Sequence, residues 1–214
     1  MNFIPTRFTC GDITLEGEWL LPEGKGPFPG VIVCHPYPPR GGDMLNQVVT
    51  TICQKLAEQA VAAFRFNFRG VGGSEGSFGE GITEQEDVKA ALDFVLSSPD
   101  INGGKVGLAG YSFGAVVALR VALQDERASL LVLVSAPLSE PDWEQLKGYG
   151  RPKLLVVGET DQMIPLEGFR QHIKDVPHPE QYHVIPGADH FWAGHEEEVA
   201  QKVATFLASG FKHL

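Results

Sequence analysis

Ser112 stands in the run Gly110-Tyr111-Ser112-Phe113-Gly114, a G-x-S-x-G pattern. Residues 105–109 before it form a short apolar run with strand character, and residues 115–123 after it are apolar helix formers. A serine on a tight strand-to-helix turn stands clear of the backbone, and the helix that begins there aims N–H groups at the place where negative charge develops. Serine is a weak nucleophile at neutral pH and needs a base, which in turn needs an acid to orient it. Two downstream segments supply such a pair in the order acid, then base: Gly158-Glu159-Thr160-Asp161 and Gly187-Ala188-Asp189-His190. Asp161 is read as the acid and His190 as the base, with Glu159 and His195 as alternatives. His172, His178 and His183 do not follow a strand and read as surface residues. The pattern occurs twice, the second time at Gly72-Gly73-Ser74-Glu75-Gly76. That copy lies among further glycines with no helix directly behind it, so Ser74 reads as a loop residue.

A serine that attacks a carbonyl also needs two donors for the oxyanion. The Phe113 N–H, directly after the nucleophile, is one. The other is sought in His35-Pro36-Tyr37-Pro38-Pro39. Proline has no N–H, which leaves Tyr37 as the well-placed donor on a stiffened loop. His35 reads as structural, its ring hydrogen-bonded beneath the site.

These side chains must be carried by a scaffold, and the chain alternates strand and helix signals throughout. Strands are expected at 6–10 and 15–20, joined by the Gly11-Asp12 turn as an antiparallel hairpin. Others follow at 30–34, 61–66, 105–109, 130–134, 153–157 and 182–185. The run Gly30-Val31-Ile32-Val33-Cys34 is apolar on both faces, as a central parallel strand should be. Helices are expected at 46–59, 83–97, 115–123, 165–174 and 195–212, with Thr83 and Glu86 forming a capping box. Eight strands alternating with helices imply an α/β architecture, a mostly parallel sheet with helices on both faces. Ligands bind beyond the C-terminal ends of such strands, where Ser112, Asp161 and His190 all fall.

The length of 214 residues suits one domain spanning 1–214 with a substantial core. A formal charge of −10 argues against nucleic acid and anionic membrane as partners. Cys10, Cys34 and Cys53 form no metal-type or redox-type spacing. Their odd number suits a reducing compartment. With no leader pattern and no apolar run long enough to span a bilayer, the expected location is cytoplasmic. The loop Arg69-Gly70-Val71-Gly72-Gly73-Ser74 lacks both the dinucleotide and the P-loop fingerprints. It reads as a turn, with Arg69 packed or paired near Asp87 or Glu84.

Taken together, the runs His35-Pro36-Tyr37-Pro38, Gly41-Gly42-Asp43-Met44, Arg65 to Gly76, Gly110 to Gly114, Gly158 to Asp161 and Asp189-His190-Phe191 resemble the small lidless serine α/β hydrolases related to dienelactone hydrolase. The resemblance extends over nearly the whole chain. It implies the α/β-hydrolase fold, a Ser112–Asp161–His190 triad, carboxylesterase-type activity on small esters, and no cofactor or metal. One departure stands out. Dienelactone hydrolase has a cysteine at the elbow where this chain has Ser112, which argues against dienelactone as the substrate. Many α/β hydrolases insert a cap after the sixth strand, whereas here only residues 138–151 separate that strand from the next. A shallow, open site and short-chain esters or thioesters are expected, with Tyr37, Phe78, Trp143 and Trp192 as candidate walls. A peptidase or acyl transferase would use the same triad, and a non-catalytic binding protein would use only the fold. Dehalogenase or epoxide-hydrolase chemistry needs a carboxylate at the elbow.

Overall fold

A computed structural model of the chain describes residues 2–177 and 180–214. It contains one eight-stranded sheet in the order β1-β2-β4-β3-β5-β6-β7-β8. The strands are β1 (Ile4–Cys10), β2 (Ile13–Leu20), β3 (Phe28–Cys34), β4 (Ala62–Phe66), β5 (Ile101–Tyr111), β6 (Leu130–Val134), β7 (Lys153–Gly158) and β8 (Glu180–Ile185). β1 pairs antiparallel with β2, and β2 antiparallel with β4. All later pairings are parallel. The β5 strand begins earlier than its apolar run suggests, because Ile101 pairs with Phe28 across a register shift.

Among the described residues six α-helices cover the two faces: α1 (Gln47–Glu58), α2 (Glu84–Ser97), α3 (Phe113–Gln124), α4 (Glu140–Lys147), α5 (Leu166–Ile173) and α6 (Glu196–Lys212). Alternation along the central strands divides the core into two layers. Ile32, Leu131 and Leu133 point to the layer that buries α2 and α3. Val31, Val33, Leu130 and Val132 point to the layer that buries α1 and α6. Both faces are therefore apolar, which is why these strands read as continuous hydrophobic runs rather than alternating ones. No helix among the described residues is long and apolar enough to cross a membrane.

One local reading of the sequence, the Thr83–Glu86 capping box, is corrected. Thr83 makes no side-chain cap at α2. The fully buried Glu84 carboxylate instead accepts the N–H groups of Gly79 and Gly81, at 2.7 and 2.8 Å, and folds the preceding loop back onto the helix. Glu86, the other half of the expected box, pairs with Lys89 at the surface. Arg69 does pair with Asp87, at 2.6 and 2.9 Å, and Asp87 is fully buried.

The turn between β5 and α3 fixes the position of Ser112. Its φ of 54° and ψ of −118° put a non-glycine residue in the left-handed half of backbone space, a strained geometry held by its surroundings. A Cβ at Gly114 would run into the backbone carbonyls of Cys34 and His35, and one at Gly110 into the first turn of α3. The glycines thus let the helix start seat directly against the end of β3. Gly114→Ala is expected to destabilise the fold by on the order of 2 kcal/mol through overpacking, read as a drop of several degrees in Tm. An unchanged Tm would show that the β3–α3 contact is not tight.

Candidate active site

Ser112, His190 and Asp161 come from the ends of β5, β8 and β7 and meet in a hydrogen-bonded chain. Ser112 Oγ lies 3.0 Å from His190 Nε2. His190 Nδ1 lies 2.9 and 3.0 Å from the two oxygens of Asp161. Asp161 has no proton to give, so Nδ1 carries the ring hydrogen and Nε2 is left to accept from the serine. All three side chains are buried except for a narrow face.

Asp161 is held more completely than its sequence context suggests. Its Oδ1 accepts the N–H groups of Met163 and Ile164, at 2.9 and 3.0 Å. Its Oδ2 accepts the Ser135 hydroxyl at 2.8 Å. Burial alone would push the Asp161 carboxyl up, but the hydrogen bonds from His190 and Ser135, the His190 charge and the Met163 N–H leave it below its ordinary value. Ser135 is fully buried at the end of β6 and carries a φ of 43°. No sequence motif marks it; only its place at a strand end could have drawn attention to it. His190 is fixed from the other side, its carbonyl accepting the Tyr111 hydroxyl at 2.7 Å.

The alternatives stand elsewhere. The exposed Glu159 accepts the Gly187 N–H. His195 precedes α6 and faces Glu198 at 3.4 Å. Ser74 is locked into the β2–β4 region, accepting from Glu16 N–H and donating to the Asn67 carbonyl. His172 stacks on Trp143. His183 is half-buried on β8, and His178 lies outside the described residues.

The triad opens into a cleft of about 480 Å³, whose walls include Tyr37, Phe113, Arg40, Arg120, Met163 and Phe191. Tyr37 and Phe113 stand edge to face with ring centroids 5.7 Å apart. The Tyr37 carbonyl accepts from Arg40 and Gly42, so the turn is closed without using the Tyr37 N–H. Phe113 is the first residue of α3, where the N–H has no intrahelical partner. Among the described residues, no group of three or more His, Cys, Asp or Glu is arranged to hold a metal ion.

The substrate-wall reading needs three corrections. Trp192 is fully buried and packs in the α1–α6 layer, not in the cleft. Trp143 is buried on α4 against Phe169 and His172. Phe78 is half-buried and packs against Tyr37 and Phe113, supporting that wall without lining the cleft. Beside the expected Tyr37, the cleft exposes Phe191, one position before Trp192.

Residues 11–174 match the model of the X-Pro dipeptidyl-peptidase (S15 family). The chain belongs to that family. This S15-family chain is also similar to an α/β serine hydrolase homologue from Coxiella burnetii, at 32% identity with a TM-score of 0.86 over 96% of this chain and 97% of that one. A serine hydrolase without a lid from Xanthomonas campestris matches at 28% identity and a TM-score of 0.84, over 96% and 94% of the two chains. Among curated relatives, an uncharacterised protein of Rickettsia prowazekii is 29% identical over 84% of this chain and 78% of its own length. The esterase EstD of Thermotoga maritima is 25% identical over 92% of this chain and 48% of its own. The chain is a lidless α/β serine hydrolase.

His35 underpins the Tyr37 loop. Its Nδ1–H donates to the Pro36 carbonyl at 2.7 Å and its Nε2 accepts the Phe68 N–H at 3.1 Å. Burial lowers its pKa to about 4, against smaller upward pulls from the Pro36 carbonyl and Asp43. The unfolded chain therefore takes up this proton first. The stability it contributes is full above about pH 6.5 and is lost as pH falls toward 4, amounting to roughly 3 kcal/mol. Urea midpoints measured from pH 7 to 4 should fall along this limb in the wild type and less steeply in His35→Gln. Parallel curves would contradict the neutral buried ring.

Proposed function

We propose that this serine hydrolase cleaves small carboxylic esters with short acyl chains through an acyl-enzyme intermediate. The observation that carries the reading is the Ser112–His190–Asp161 chain of hydrogen bonds, 3.0 and 2.9 Å long, at the floor of an open cleft. Ser112 Oγ attacks the ester carbonyl carbon while its proton passes to His190 Nε2. Asp161 holds the ring tautomer and stabilises the imidazolium. The N–H groups of Tyr37 and Phe113 receive the oxyanion. The tetrahedral species collapses, the C–O bond breaks, and His190 returns the proton to the departing alcohol oxygen. A water then gives its proton to His190 Nε2 and attacks the acyl carbonyl; the second tetrahedral species collapses, the bond to Ser112 Oγ breaks, and His190 returns the proton to Oγ as the acid leaves. No cofactor enters these steps.

The short-acyl preference rests on what stands over the site. Only the eight-residue α4 occupies the place of a cap, and Trp143 on it is turned into the core. Little apolar wall is left to enclose a long acyl chain, and water reaches the acyl-enzyme freely. Thioesters would react by the same steps.

A second reading, peptide hydrolysis, is favoured by the S15-family match. A dipeptidyl substrate presents an ammonium group. Glu80 is the exposed carboxylate among the cleft walls, which also carry Arg40 and Arg120.

A p-nitrophenyl ester series from acetate to palmitate, run beside alanyl-prolyl p-nitroanilide, separates the readings. The short esters should be hydrolysed best. Ser112→Ala should reduce kcat by at least about 10³-fold, and Asp161→Asn by about 10⁴-fold. Near-wild-type turnover by Ser112→Ala would refute the mechanism. Faster cleavage of the anilide than of any ester would favour the peptidase.

A further inference from the structure

We propose that Phe191 and Met163 form a platform for the alcohol half of the substrate, so that the preferred substrates are esters of bulky apolar alcohols. This rests on the ester-hydrolase reading and deepens it. The departing oxygen must take its proton from His190 Nε2, so the first atoms of the alcohol have to leave along the His190 side of the cleft. Two apolar side chains line the cleft there. Phe191 directly follows His190, and its ring stands at 88° to the imidazole with centroids 5.7 Å apart. Met163 follows Asp161 by two residues, and its N–H is held by Asp161 Oδ1.

Both are unusually open for their type, Phe191 at 69% and Met163 at 49%. A single exposed apolar side chain means little. Two in the same cleft, one against the His190 ring and the other on the turn that holds Asp161, make a surface that a bound apolar group would cover.

The segment that carries Phe191 is also rigid. Asp189 Oδ1 accepts the N–H groups of both Phe191 and Trp192, at 2.9 and 3.0 Å. Trp192 takes a φ of 63° and is fully buried. The strained backbone sends the indole into the core and leaves the neighbouring phenyl ring in solvent, so the backbone of Phe191 is fixed before binding and only its side chain has to be ordered. The oxyanion wall of Tyr37 and Phe113 is left for the acyl half.

Ethyl acetate and benzyl acetate test the platform, since they share the acyl group and their alcohols are of similar acidity. The wild type should favour the benzyl ester by about tenfold in kcat/KM. In Phe191→Ala the benzyl-to-ethyl ratio should fall toward one, chiefly through KM for the benzyl ester, and Phe191→Leu should keep part of the preference. An unaltered ratio, including an equal loss on both esters, would overturn the platform. A second measurement follows the labelling of Ser112 by a fluorophosphonate in the presence of benzyl alcohol or ethanol. Benzyl alcohol should slow labelling of the wild type but not of Phe191→Ala, and ethanol should slow neither. Labelling without hydrolysis of either acetate would count against the ester reading alone. The benzyl alcohol effect would still decide the platform, and its absence would overturn it.

Discussion

The start of α3 sits against the end of β3 with nothing between them but the hydrogen atoms of Gly114, and the catalytic geometry depends on that contact. A larger residue would push the helix away from the Cys34 and His35 carbonyls. The Ser112 hydroxyl and the Phe113 N–H would move with it, while Tyr37, two residues beyond His35, would stay. Because the helix is seated, Ser112 is forced to a φ of 54° and its side chain is lifted into the cleft. The local strain is held by the packed strands on either side, which is how a fold sustains an unfavourable backbone at a site of chemistry.

A second set of constraints fixes the partners of the serine. Asp161 is surrounded by donors from three directions, and Ser135 supplies one from a strand end that otherwise has no chemical role. His190 is tied down through its own carbonyl by Tyr111, which precedes the serine. The base is thereby linked to the nucleophile's strand as well as to the acid. His35 contributes differently: its neutral ring bridges Pro36 and Phe68 beneath the Tyr37 loop. A charged imidazole there would have nothing to accept its second proton.

Much of this was legible in the sequence because position along the chain carries chemistry in a parallel sheet. Ser112, Asp161 and His190 each follow an apolar run, and strand ends gather at one edge of the sheet. Flanking context also separated Ser112 from Ser74, whose side chain is spent on two backbone groups. The misplaced cleft walls share a physical source: the direction of a side chain does not follow from spacing alone. Trp192, a candidate cleft wall, lies two residues past the base. The positive φ at that residue reverses the expectation and puts Phe191 outside and Trp192 in the core. Trp143 lies on a helix whose buried face could not be known without Phe169 and His172. The Thr83 cap failed because its backbone is already helical, at φ −76° and ψ −22°, and Glu84 gathers the amides of the preceding loop instead. Ser135 was silent because a lone serine after a strand has no distinguishing pattern.

Ser112 must carry the acyl group during turnover. Rapid quenching of the wild type with p-nitrophenyl acetate, followed by intact mass and peptide mapping, addresses this directly. A single acetyl group should appear on the peptide containing Ser112, and should persist longer when His190 is replaced by alanine in a protein acetylated by prolonged exposure. Hydrolysis with no acetylated species, or an acetyl group mapped to Ser74 or Ser135 instead, would contradict the account.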